Sequence, residues 1–77
     1  MFNYMTVARF NYNHSRPGSS VRIDNSYTSA MNWMDTIRTR HMNHQPSHQP
    51  GSLSLYLIQF DTQQPNNPGL VIRKEVI

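Results

Sequence analysis

Asp24-Asn25-Ser26-Tyr27-Thr28-Ser29-Ala30-Met31-Asn32-Trp33-Met34-Asp35-Thr36-Ile37-Arg38-Thr39-Arg40-His41 is the one stretch of this chain with a sustained helical period. Tyr27, Ala30, Met31, Met34, Ile37 and His41 recur at intervals of three and four and form one stripe. Thr28, Asn32, Asp35, Thr36 and Thr39 make the polar face opposite. Asp24, Asn25 and Ser26 are all residues that cap helices, because their short side chains accept from the free N–H groups of the first turn. Arg38, Arg40 and His41 fall in the last turn, where cations suit the negative end of the helix dipole. The spacing predicts a helix over 26–41.

The flanks of this helix read differently. In Phe2 to Tyr12 the even positions are Phe2, Tyr4, Thr6, Ala8, Phe10 and Tyr12, a period of two that predicts a strand with its even side inward. Pro17-Gly18 suits the two central positions of a type II turn, since proline presets the first φ and glycine accepts the positive second one. A short strand over 20–24 follows. In it Val21 and Ile23 point one way and Arg22 and Asp24 the other, so that Arg9 and Arg22 are expected on the outward faces of a hairpin.

Downstream of the helix, two prolines and a glycine within 44–51 exclude regular structure, and residues 42–51 are expected to form a flexible His/Gln/Pro loop. Ser52 to Asp61 is the most apolar stretch, with apolar residues on both faces. That pattern fits a strand buried on two sides, or a central strand of a small sheet with one face meeting a partner. Thr62 to Gly69 is turn-rich, and Leu70 to Ile77 is the last strand. The order is ββαββ, and the expected fold is a single small α+β domain over 1–77. Its mostly antiparallel four-stranded sheet carries one helix on one face. A swapped dimer whose sheet continues through an edge strand is the alternative assembly.

Composition narrows the chemistry. The chain of 77 residues holds four carboxylates, no cysteine and seven cations, six of them arginine, for a formal charge of +3. Disulfides are impossible, and so small a core leaves a partner subunit or target as the source of added stability. No segment approaches the roughly 18–20 apolar residues needed to span a bilayer. Met1 to Phe10 lacks the basic start, apolar core and cleavage site of a signal peptide, so a cytoplasmic location is expected.

His41, His44 and His48 show local metal-ligand spacing, with His14 apart from them. No cysteine or carboxylate lies nearby to complete a tetrahedral set, so no metal or other cofactor is expected. A two-histidine, arginine-assisted nuclease using His14 and His41 requires both rings in one cleft. No Gly-x-Ser-x-Gly elbow or glycine-rich phosphate loop is present. The expectation is a protein that is not an enzyme. Arg9-Phe10-Asn11-Tyr12 alternates polar and aromatic residues as base-stacking strands do, but Phe10 and Tyr12 lie on the inward side and read as core.

The arginines remain. A planar guanidinium pairs two-pronged with phosphate or carboxylate, which lysine cannot do. Trp33 lies about 100° from the centre of the apolar stripe, on a flank shared with Ile37 and Arg40. It reads either as a buried contact anchor or as the rim of the core with its indole N–H in solvent. The candidate partner-binding set is Trp33, Arg38 and Arg40, helped by Arg9, Arg16 and Arg22.

In size, element order and lack of catalytic equipment, the run from Ser19 to Met34 resembles the strand-then-helix core of small phage inhibitor proteins, anti-CRISPR proteins among them. The likeness carries no diagnostic motif, so no residue role transfers. It implies a viral protein that inhibits a larger host protein or nucleoprotein complex by occupying its surface. Many such inhibitors are acidic, whereas this chain is basic, which turns the expectation toward an acidic protein face or a position beside bound nucleic acid. Direct, sequence-independent nucleic-acid binding and a virion or assembly role are the competing readings.

Overall fold

The computed structural model describes residues 2–11, 18–44, 52–64 and 66–77. The elements are β1 (Phe2–Phe10), β2 (Gly18–Asp24), α1 (Tyr27–His44), β3 (Leu53–Asp61) and β4 (Leu70–Val76). The strands form one antiparallel sheet in the order β2-β1-β3-β4, and α1 lies across one face of it. This is the small α+β fold that the alternating and helical periods predict.

Ser26 caps the helix. Its Oγ accepts the Ser29 backbone N–H at 3.1 Å, and its carbonyl accepts the Ala30 N–H at 3.2 Å. Asp24, the first residue of the capping run, instead ends β2. Ala30, Met34, Ile37 and His41 are the buried positions of α1, spaced four, three and four apart. They close on Ala8 of β1 and on Leu53, Leu55 and Leu57 of β3, all fully buried. Tyr4, Phe10, Met31, Trp33 and Ile77 pack around the margin. Tyr27 is exposed, and its ring stands edge-to-face with that of Tyr4, centroids 5.8 Å apart.

Three local expectations are corrected. The helix continues through His44, so residues 42–44 of the loop expected over 42–51 are helical; residues 45–51 lie outside the described part. Gly18 opens β2 opposite Phe10 without the positive φ that a type II turn demands; Pro17 is not among the described residues. The residue with that geometry is Gly69, at φ 86°, which ends the turn between β3 and β4.

The third correction concerns β2. Thr6 pairs with Arg22 and Val7 with Val21. Paired residues point to the same side of a sheet, so Arg22 and Asp24 share the helix side with Thr6 and Tyr4. Val21 and Ile23 point away from the helix, each 58% exposed. Inter-strand register decides this, and it is invisible to an alternation read within one strand.

Candidate functional site: an uncovered sheet face

The side of the sheet away from α1 holds three rows that cross all four strands, with Asn3 and Phe60 of β1 and β3 beyond the first of them. Ile23, Met5, Ile58 and Val71 form the first, running from β2 through β1 and β3 to β4. Val21, Val7, Tyr56 and Lys74 form the second. Ser19, Arg9, Ser54 and Val76 form the third. Polarity therefore changes along the strands, from a wholly apolar row to a row holding Arg9 and two serines.

None of the described residues covers this face. Val21, Ile23, Val71 and Val76, its outer members, are 53–58% exposed. Met5, Val7, Tyr56 and Ile58 on the two central strands are half-buried by their neighbours alone. Monomeric proteins seldom expose contiguous apolar patches of this kind without a use for them. Tyr56 supplies the aromatic centre, and the Lys74 ammonium lies 5.7 Å from its ring centroid. At the third row, a shallow depression of about 410 Å³ is lined by Arg9, Ser19, Ser54 and Tyr56, among others.

The two sides of the sheet differ sharply in charge. Asp24 and Asp61 pair with Tyr4 and Phe2, Glu75 pairs with Leu55, and Asp35 is on α1, so all four carboxylates lie on the helix side or at its margin. Arg22, Arg38, Arg40 and Arg73 are on that same side and balance them. Arg9 and Lys74 face the other way with no carboxylate on their surface. With Arg16 outside the described residues, these two cations are the whole resolved excess of charge.

The predicted contact set does not form one patch. Trp33, Arg22 and Arg40 come together on the helix side, with guanidinium carbons 4.6 Å and 5.8 Å from the Trp33 ring centroid. Arg22 also meets Asp24 at 3.4 Å. Trp33 packs at the margin of the core, and its Nε1 is buried without a hydrogen-bond partner among the described residues, unlike the solvent-facing N–H of the rim reading. Thr6 Oγ1 and Asp24 Oδ2 are likewise buried without one. Arg38 is held elsewhere: it ion-pairs with Asp35 one turn back and with Glu75 of β4 at 2.6 Å. The Glu75 carboxyl lies below the ordinary carboxylate range, chiefly because Arg38 donates to it, with Arg73 at 3.3 Å adding to the effect. The same bond raises Arg38. Arg9 is exposed on the uncovered face, as expected of its strand position.

His41 is 3% exposed, and its Nε2 lies 3.3 Å from the Ser52 Oγ at the start of β3. It is thus part of the interior; His14 and His48 lie outside the described residues. Among the described residues no three histidine, cysteine or acidic side chains gather as metal ligands, and no helix is long and apolar enough to cross a membrane.

The sequence reading missed Val21, Ile23, Val71, Val76 and Lys74 as surface residues. The signal was present in β3, whose second apolar face needed a covering that a chain with one helix does not provide. Comparison with known protein families, curated proteins and solved structures returned no match.

Proposed function

We propose that this protein is a non-enzymatic interaction module that occupies the surface of a larger protein or nucleoprotein complex through the uncovered side of its sheet. One observation carries the reading: four strands present apolar residues to solvent on the side that α1 does not cover. Burying a half-exposed valine or isoleucine contributes about 1 kcal/mol, so four such residues around Tyr56 amount to a useful docking energy. Inhibition of a host machine, which the resemblance to phage inhibitors implies, would follow from occlusion alone and needs no catalytic group. Trp33, Arg22 and Arg40 would then stabilise the helix layer rather than anchor the partner.

The test compares capture from a host lysate, with and without nuclease, by the wild-type chain and by a V21D/I23D variant. Both positions are exposed, so circular dichroism should show an unchanged fold. A nuclease-resistant protein partner lost in the variant supports the reading. A partner retained equally by the variant overturns it, and capture that disappears with nuclease favours nucleic-acid binding instead.

A further inference from the structure

We infer that the partner of the uncovered sheet face is an acidic protein surface with an apolar centre, and that it is neither a second copy of this chain nor a nucleic acid. The inference rests on the reading of that face as a docking surface, and adds which chemistry it selects.

The argument starts from the segregation of charge. Among the described residues the helix side is formally neutral, four carboxylates against four arginines. Arg9 and Lys74 lie on adjacent rows, two strand spacings across the sheet and one row along it, about 12 Å apart. They mark one end of the face, whereas Ile23, Met5, Ile58 and Val71 mark the other. A partner that covers the apolar row also desolvates these cations or lies beside them. A cation brought against a low-dielectric surface without a counter-charge opposes binding, and one that meets a carboxylate favours it.

A second copy cannot supply the carboxylate. Whatever the rotation of two such faces against each other, neither brings an acid to Arg9 or Lys74, because none of the four lies on this side. Nucleic acid is disfavoured by the rest of the surface. Two cations neutralise few phosphates, and phosphate neutralisation supplies most non-specific affinity. The row of Ile23, Met5, Ile58 and Val71 holds no aromatic ring, and Tyr56 and Phe60 on either side of it are half-buried between neighbouring strands, which leaves little stacking platform for bases. An amphipathic helix with acidic flanks has the required pattern, and would cover this side of the sheet as α1 covers the other.

The test uses the full chain and three series of amphipathic helical peptides. They share one apolar face and carry Glu, Gln or Lys at the flanking positions; binding is read by fluorescence anisotropy at low and high salt. The Glu series should bind about threefold to tenfold more tightly than the Gln series, the worth of two surface charge pairs, and the Lys series least. The advantage of Glu should vanish at high salt and in an R9Q/K74Q variant, which keeps the Gln-series affinity. V21D/I23D should lose all three series. Equal binding of Glu and Lys peptides by the wild type overturns the charge inference while leaving the docking face intact. Binding unaffected by V21D/I23D, or no binding of any series, overturns the docking face itself. A wild-type dimer in sedimentation that V21D/I23D abolishes identifies a second copy as the occupant. Displacement of the Glu peptide by a single-stranded oligonucleotide identifies a nucleic acid. Either result overturns the inference.

Discussion

Arg38 of α1 and Glu75 of β4 are joined by a 2.6 Å charged hydrogen bond that ties the helix to the edge strand of the sheet. Both groups are partly buried, and Glu75 is shared with Arg73 of its own strand. The pair gives the C-terminal strand a link to the helix layer that its exposed side chains do not provide.

This link makes stability depend on acid. The folded Glu75 carboxyl titrates below its ordinary value of 4.5, because Arg38 donates to the ionised form. A group depressed by folding contributes its full stabilisation above the unfolded value, and loses it as pH falls through the folded one. The Glu75 contribution to the urea midpoint should therefore be constant above about pH 5 and be lost progressively below 4.5. In a Glu75→Gln variant that loss should be missing, at a cost of about 1 kcal/mol at neutral pH. An identical acid limb in wild type and variant would contradict the assignment.

Arg22 and Arg40 both approach Trp33, yet their removal should differ in cost. Arg22→Ala removes the nearer cation and leaves the Asp24 carboxylate, whose side chain is 8% exposed, without its ion-pair partner. The expected loss is about 1–2 kcal/mol. Arg40→Ala removes only the more distant contact, at about 0.5 kcal/mol or less. Urea unfolding followed by the single tryptophan reads both, and an equal cost would contradict the geometry.

Thr6 is 1% exposed and its Oγ1 has no partner among the described residues. Valine has nearly the same shape without the polar atom. Thr6→Val should raise stability by about 1 kcal/mol, because a buried unsatisfied hydroxyl is removed from a strand that accepts valine well. A lower urea midpoint would show that the hydroxyl is satisfied in solution.

Gly69 combines a positive φ with a tight site. A Cβ there would lie 2.9 Å from the Gln59 carbonyl oxygen. Its N–H also donates to the Asn67 side-chain oxygen at 3.0 Å, fixing the turn. Gly69→Ala should cost about 1–3 kcal/mol through backbone strain and a forced shift of β3 against β4. Thermal melts would check this; Gly18→Ala, with nothing within 4 Å of its Cβ, is the matched control.

Similar aliphatic residues on the two sides of the sheet should behave as opposites. Leu55→Ala empties a fully buried site among Ala8, Ala30 and Met34 and should cost about 2–4 kcal/mol, a large share of the stability of so small a domain. Ile23→Ala trims a side chain already 58% exposed and should change stability by less than about 0.5 kcal/mol. Comparable losses at both positions in chemical denaturation would mean that the outer face is covered in the isolated protein.

Local periodicity was enough to recover the elements. The 3.6-residue stripe of Ala30, Met34, Ile37 and His41 and the even side of β1 are properties of single segments; the stripe is buried as indicated, and the even side of β1 is inward at Tyr4, Thr6, Ala8 and Phe10, although Phe2 at the strand end is exposed. The Arg38–Asp35 pair was also legible, being one helical turn long. Glu75 as the second partner of Arg38, 37 residues away, was not.

What the amino-acid pattern determined by itself was the order of strands and helix, the buried stripe of that helix and an excess of cations over acids. Only tertiary structure decided which side of β2 is covered, and with it that Arg22 turns to Trp33 while Val21 and Ile23 face outward. The reason is geometric. Alternation within a strand defines two sides but does not say which is inner; pairing with β1 does, and a slip of one residue would exchange every side chain between them. That pairing also sorted the charges, leaving Arg9 and Lys74 on a face without carboxylates, a separation that no count of residues contains.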